Sequence, residues 1–311
     1  MRRVDVYSTS RMIRILGTVF AGLMGLAFGS FLNVCLSRWP EGESVVAPRS
    51  HCRGCGHTLA WWENVPLVSW VGLRGRCRKC RTAIRWRYPL VEVAVGVLWA
   101  INTWKFSFVI QYLNLSWSAL PLLIVCFLGP FTFLWLLVAL AALDAENLWL
   151  PDRLTLPGIL VGVFVAALSR FYLEYSFNGP RTFANFFSHS MQHFWPGRFL
   201  GILSAAGLIL LIRWVYWLIR RREGMGLGDA KLMAMLAAWL GLSGAMLAFG
   251  LGVVLAAGVA LVLLAIPSTG EGKGSWRVRK LPLGTFLCIG GIVSSLWGER
   301  IIAAYLGWAG F

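Results

Sequence analysis

The sequence predicts an all-α polytopic membrane protein with about eight transmembrane helices. Of its 311 residues, 58% are hydrophobic and only 14% charged, against roughly 25% charged in soluble domains. Mean hydropathy is +0.69. The apolar residues gather in long runs, and in hydrocarbon a backbone must satisfy its own hydrogen bonds, as a helix of about 20 apolar residues does. Short alternating strands are absent, which favours helices over a barrel.

Spans are expected at 15–36, 89–105, 117–143, 154–172, 199–219, 230–242, 245–266 and 283–298, the sixth and eighth being short. Pro121 and Pro130 fall inside the third and Pro157 near the start of the fourth. There they kink or cap a helix without abolishing it, because neighbours re-satisfy the freed carbonyls. The first run is too long for a cleaved signal peptide and no small-residue cleavage site follows it. Residues 1–14 therefore form a tail, 15–36 the first transmembrane helix, 37–88 a loop and 89–311 a larger transmembrane domain.

Basic residues in short loops stay on the cytoplasmic side. Segment 37–88 carries ten (Arg38, Arg49, Arg53, Arg74, Arg76, Arg78, Lys79, Arg81, Arg85 and Arg87) against three glutamates, so it is placed inside. Loops 144–153, 220–229 and 267–282 then lie inside as well, with Arg153, the run Arg220 to Arg222, and Lys273, Arg277, Arg279 and Lys280. The opposite loops hold fewer, chiefly Lys105, Arg170, Arg181, Arg198 and Arg300. The tail, with Arg2, Arg3, Arg11 and Arg14, runs against the rule, and the larger loop decides. The net charge of +16 is spread over loops that meet anionic lipid heads, so nucleic acid is not an expected partner. No internal repeat is evident, and Gly270, Gly272 and Gly274 loosen the loop before the last span.

The inside loop holds Cys52-x2-Cys55 and Cys77-x2-Cys80, 21 residues apart. Each pair can form a knuckle presenting two thiolates to one tetrahedral ion, so the four are read as ligands of a cytoplasmic zinc site. A disulfide would not persist on the reducing side of a membrane. A closed four-thiolate site leaves no position for water, which makes the zinc structural. His51 and His57 flank the first pair and could substitute as ligands, although the plainer reading is that they are solvated loop residues. Cys35, Cys126 and Cys288 lie in apolar runs as small hydrophobes.

Charged groups bordering membrane spans are costly and therefore candidates for function. Asp144 ends the third span and Asp229 begins the sixth, at the same face in this topology. Two carboxyls in contact cannot easily both ionise, so they share a proton and act as base and acid by turns, which is aspartic-protease chemistry. Gly224, Gly226 and Gly228 precede Asp229 and let an extended substrate approach the backbone; with Lys231 they form the supporting segment. Asp229 as a plain helix cap is the bland alternative. Glu92 is either a partner for a loop arginine or a site residue, and Asp152 could orient the segment around Asp144.

These blocks resemble the type IV prepilin peptidase family, bifunctional leader peptidases and N-methyltransferases. The likeness runs from about 22 to 290: Phe28-Gly29-Ser30-Phe31-Leu32-Asn33-Val34, the four-cysteine loop, Asn64-Val65-Pro66, Leu73-Arg74-Gly75-Arg76-Cys77, Arg87-Tyr88-Pro89 with Glu92, 144–157, 224–232 and Leu281-Pro282-Leu283-Gly284. Leu283 and Thr285 depart from the family's usual Phe and Pro.

The resemblance implies that Asp144 and Asp229 are the catalytic aspartates, and that the chain lies in the bacterial cytoplasmic (inner) membrane. The substrate it implies is the basic leader of a prepilin or pseudopilin, cut after a glycine on the cytoplasmic side. The new amine, often on Phe, is then methylated from S-adenosylmethionine. Residues binding that donor are not identified: segment 37–88 is too short for a doubly wound domain and has no strand, Gly-x-Gly-x-x-Gly and helix unit. Glu41, Glu43 and Glu63 are candidates for selecting the basic leader. Two other readings stand beside this one. A proton-coupled transporter would place charges or broken helices near mid-span, and a zinc-loop adaptor would make both aspartates dispensable.

Overall fold

The computed structural model describes residues 2–112, 124–178, 183–222, 226–265 and 281–310, with side chains described for 11–107, 124–125, 127–170, 195–222, 226–265 and 281–310. Helix α1 (Arg2–Arg38) is followed by 3-10 turns Trp39–Glu41 and Trp61–Asn64, short α2 (Val68–Gly72) and α3 (Arg87–Tyr112). A π turn, Ile124–Leu128, leads into α4 (Gly129–Asn147), then α5 (Asp152–Asn178), α6 (Phe183–Arg220), α7 (Leu227–Ala265) and α8 (Leu283–Ala309).

Among the described residues six helices are long and apolar enough to cross a membrane: α1, α4, α5, α6, α7 and α8. That is fewer than the eight spans expected. Helix α3, which carries Arg87, Glu92 and Lys105, is not among them, and the expected spans 230–242 and 245–266 both fall within α7. Pro121, the start of the expected third span, Gly224, Gly270, Gly272, Gly274 and the basic cluster from Lys273 to Lys280 lie outside the described residues, as does the Cys126 side chain. Two compact units divide the chain, Met1–Ala139 and Leu140–Phe311, with the boundary inside α4.

In the first unit, glycines bring α1 and α3 together. Gly22, Gly25 and Gly29 face Ala100, Gly96 and Glu92, so residue numbers rise on one helix as they fall on the other and the pair is antiparallel. A Cβ on Gly25 would stand 2.8 Å from the Gly96 Cα, and one on Gly29 2.7 Å from the Glu92 Cα. Only bare backbone permits that approach. One turn on, Asn33 Nδ2 donates to the Tyr88 carbonyl at 2.9 Å. Glu92 accepts the Leu67 N–H at 2.8 Å, a clasp between α3 and the loop where the sequence offered an arginine partner or a site role. Trp99 stacks on Phe131 with centroids 4.4 Å apart, and Trp135 Nε1 donates to the Phe28 carbonyl at 3.2 Å, which seats the start of α4 against this pair.

In the second unit, the C-terminal half of α7 lies antiparallel to α8. Gly252 abuts the Leu287 backbone, Gly290 abuts the Ala248 carbonyl, and Ser294 Oγ donates to the Gly244 carbonyl at 2.8 Å. The other half does not continue that line. Leu150 lies against both Gly228 and Gly284, its Cβ 3.0 Å from a Cβ built on Gly228 and its Cδ1 3.0 Å from one built on Gly284. Residues 228 and 252 therefore both border the first turn of α8, whereas in a straight helix they would be about 36 Å apart. The chain turns back at Gly241, whose φ of 75° and ψ of 175° are non-helical, in a region of φ open to glycine.

The first half of α7 is the buried core of this unit, with Leu232, Met233, Met235, Leu236, Ala237 and Ala238 fully enclosed. Trp239 Nε1 donates to the Gly158 carbonyl of α5 at 2.8 Å, and its ring occupies the space a Cβ on Gly162 would need. Arg198, expected in a loop on the opposite side, lies inside α6 because that helix starts at Phe183 rather than near 199. Its Nη1 donates to the Ala237 carbonyl at 3.4 Å, close to the turn at Gly241.

Candidate active site and metal centre

Asp144 sits in the last full turn of α4. Leu148 takes a φ of 50° and ends the helix, its N–H still bonded to the Asp144 carbonyl at 2.9 Å. The chain then reverses through Leu150 and Pro151 into α5. Asp229 is the third residue of α7, and its Oδ2 accepts the Gly226 N–H at 3.3 Å. Both side chains are enclosed, with residue exposures of 6% for Asp144 and 9% for Asp229.

Asp144 and Asp229, 85 residues apart in sequence, are brought near one another because two backbones come unusually close beside them. A Cβ on Gly284 would lie 2.9 Å from Asp144 Oδ2, and one on Gly228 3.0 Å from Leu150 Cβ. The two carboxyls are within electrostatic reach of one another. Asp144 Oδ2 accepts the Thr285 N–H at 2.7 Å and lies 3.1 Å from its Oγ1. That hydroxyl is also 3.1 Å from the Ala141 carbonyl.

Lys231 donates to Asp152 Oδ1 at 2.6 Å. Two residues along a helix point to nearly opposite faces, so this ion pair joins α7 to α5 and keeps the ammonium off Asp229. The orienting role considered for Asp152 thus has a physical form. Two enclosed carboxyls with amide and hydroxyl donors and, among the described residues, no cation directly paired with them can exchange a proton with water and a bound carbonyl. Sequence reading missed Gly284 and Thr285 as members of this site, although it quoted both: the hydrogen bonds cross 141 residues and leave no local pattern.

The cysteines form a separate group in the first unit. Cys52, Cys55, Cys77 and Cys80 have sulfurs all within 4.8 Å of one another, Cys52 and Cys80 being 3.7 Å apart. Tetrahedral zinc at about 2.3 Å would space thiolates about 3.8 Å apart, so the donor set fits that ion. The two knuckles have the same hydrogen bonds. Cys52 N–H reaches the His57 carbonyl and Gly56 N–H the Cys52 carbonyl; Cys77 N–H reaches the Thr82 carbonyl and Arg81 N–H the Cys77 carbonyl. Gly56 and Arg81 both take left-handed φ, 68° and 60°, and bridges His51 to Thr58 and Arg76 to Ala83 close each knuckle. A local repeat is therefore present where none was evident in sequence.

His57 is no ligand here: its Nε2 lies 3.2 Å from Glu63 Oε2. The Ala60 N–H, at 2.8 Å, and His57 hold the Glu63 carboxyl below the usual carboxylate range. With a side chain only 1% exposed, Glu63 braces the loop and does not face a basic leader. Glu41 is paired with Arg53 at 3.2 Å.

Comparison with known proteins covers both sites. A model described as the Bacterial Peptidase A24 N-terminal domain matches residues 23–106, which include the cysteines, and that of the Type IV leader peptidase family matches 131–261, which include both aspartates. The Prepilin leader peptidase/N-methyltransferase of Stutzerimonas stutzeri is 31% identical over 92% of this chain and 93% of its own length. That of Pseudomonas aeruginosa is 31% identical over 100% of both, and that of Pseudomonas putida 32% over 94% of both. No solved structure matches the chain. With both of its units matched in order and relatives of this kind alike over nearly their whole length, the chain belongs to the type IV leader peptidase family.

Proposed function

We propose that this multi-pass membrane protein cleaves the basic leader of prepilin-like proteins with Asp144 and Asp229 and then N-methylates the exposed amine, with S-adenosylmethionine as the methyl-donating co-substrate. The observation that carries the peptidase reading is that two enclosed carboxyls, from α4 and α7, lie within electrostatic reach of one another. One carboxylate takes a proton from water as the oxygen attacks the scissile carbonyl; the other gives its proton to the carbonyl oxygen. Gly226 and Gly228 keep the approach to Asp229 narrow enough for an extended peptide to lie beside it, and Lys231 fixes α7 through Asp152. The methylation reading rests on the names of the relatives.

The test incubates purified full-length protein with a prepilin-like peptide and S-adenosylmethionine, reading cleavage and methylation separately. Asp144→Asn and Asp229→Asn are each expected to lower cleavage by roughly 10³-fold or more while a pre-cut peptide is still methylated. Full cleavage by either variant would reassign the site and leave the transporter and adaptor readings standing.

The four cysteines are read as holding one structural zinc that orders the loop between α1 and α3. Metal analysis should find about one zinc per chain, lost in Cys77→Ser/Cys80→Ser; that variant should also become protease-sensitive between 37 and 88. Equal zinc content in the variant would remove the metal from this account. We read the loop as cytoplasmic from its basic residues, and the aspartates as cytoplasmic with it, a reading that requires α3 (Arg87–Tyr112) to cross the membrane as well.

A further inference from the structure

We propose that Asn33 and Glu92 form a binding site for a primary ammonium, either that of the newly cut peptide or that of the methyl donor's amino-acid portion. The inference rests on the cleave-and-methylate reading and deepens it. Asn33 lies near the end of α1 and Glu92 in the second turn of α3, where a Cβ on Gly29 would stand 2.7 Å from the Glu92 Cα. Both residues are enclosed, with exposures of 3% and 7%. Asn33 Nδ2 donates to the Tyr88 carbonyl at 2.9 Å. A carbonyl only accepts, so this bond fixes which end of the amide is which. Oδ1 is then left buried and, among the described residues, without a donor. An acceptor in that state is costly and calls for a ligand or a water that brings a proton to it.

The group beside that oxygen is a carboxyl. Glu92 Oε2 accepts the Leu67 N–H at 2.8 Å, and Ser30 and Asn33 are its hydrogen-bonding neighbours. These three partners are neutral. A carboxylate next to an unpaired amide oxygen suits a cation with several N–H donors, and an ammonium has three. Both reactants of N-methylation carry an α-amino group, which with a reference pKa of about 7.7–8.0 is largely protonated at pH 7. In the topology read from the loop arginines, this end of α1 and this start of α3 lie on the side where the leader is cut.

A strained turn lies against Glu92. Leu67 has a φ of 58° and a ψ of −48°, and the Val68 N–H reaches the Pro66 carbonyl at 2.6 Å, which is a γ-turn of the rarer, strained kind. Such backbone persists only where its surroundings over-determine it, and the Glu92 bond to the Leu67 N–H is one such hold. An ammonium that draws Glu92 to itself weakens that hold and lets the turn relax. The segment around Leu67 is therefore the part that moves to admit the ligand.

Binding to the full-length protein tests this with three probes: a pre-cut peptide, the same peptide with its N-terminal amine replaced by hydrogen, and radiolabelled S-adenosylmethionine. Glu92→Gln keeps an oxygen for the Leu67 N–H and loses the charge. It should raise the Kd of an amine-bearing probe roughly 10-fold or more and lower methylation of the pre-cut peptide, with kcat and KM for leader cleavage unchanged. A raised Kd for the pre-cut peptide, with that of the amine-free peptide unaltered, assigns the site to the substrate; a raised Kd for the donor alone assigns it to the donor. Asn33→Ala, which removes the unpaired oxygen, should weaken the same probe. A purely structural clasp predicts that Gln retains both affinities, since it keeps the hydrogen bond; that result would overturn the proposal and leave an ordered water as the partner of Asn33. Equal weakening of the amine-free peptide would overturn it too. If Glu92→Gln does not fold, amide hydrogen exchange of the wild type decides: the pre-cut peptide or the donor should change exchange between 64 and 69 and the amine-free peptide should not, and no change with any probe refutes the site. Failure of the wild type to methylate a cut peptide would count against the methylation reading, and is seen separately from these Kd values.

Discussion

At the scale of single residues, the site depends as much on missing side chains as on present ones. Gly284 and Gly228 are bare where Asp144 and Leu150 press against them. Gly284→Ala would put a methyl 3.0 Å from the Asp144 Cγ and from Leu150 Cδ1, so one of the two must move. Displacement of a reacting group by about 1 Å can cost roughly 10²-fold in rate. Cleavage by Gly284→Ala should fall on that order while its Tm changes little, and an unchanged kcat would show that the close approach is not needed. Asp144 and Asp229 stood out in the sequence because an acid at a membrane boundary is costly and needs a reason, and both are enclosed in the fold. The same logic singled out Glu92, yet its carboxylate holds the Leu67 amide: cost identifies a residue with a purpose without saying which. Glu63, a candidate for selecting the basic leader, has its side chain buried beside His57, which its sequence neighbours gave no sign of.

Helices were the most legible elements, since apolar runs of the right length leave few alternatives in a bilayer. What escaped was their ends and their breaks. Helix α6 extends back to Phe183 and takes Arg198 into the fold, which hydropathy alone could not reveal because arginine looks like a boundary. The turn at Gly241 lies at the very end of the expected span 230–242, so a break in the apolar pattern was read nearly in place; that α7 folds back there and carries Asp229 to the first turn of α8 needed the contacts of Leu150 and Gly252. This return path depends on tight packing of α7 against α8. A Cβ at Gly290 would meet the Ala248 carbonyl and the Gly252 nitrogen, both backbone. Gly290→Ala should therefore force the helices apart, costing about 1–3 kcal/mol, and lower Tm together with cleavage. Wild-type Tm in that variant would mean the contact is looser than described.

For the whole molecule, the charge distribution and the four-cysteine cluster were readable because each leaves a pattern in the sequence, basic residues gathered in one loop and paired Cys-x2-Cys. The sidedness they imply can be tested by a protease site inserted at Val46, which is 87% exposed in the loop after α1. It should resist external protease in intact cells stripped of outer layers and be cut in inverted membrane vesicles; the opposite pattern would invert the topology. The two knuckles illustrate the limit of pattern reading, since their shared geometry is carried by backbone bonds and left-handed residues that differ in type, Gly56 and Arg81. The molecule's central claim is that Asp144 and Asp229 work as one unit, and a double-mutant cycle addresses it most directly. Cleavage rates of Asp144→Asn, Asp229→Asn and the double variant should be equally low, because either loss disables the shared proton transfer. Losses that multiply in the double variant would mean two independent groups and contradict the account.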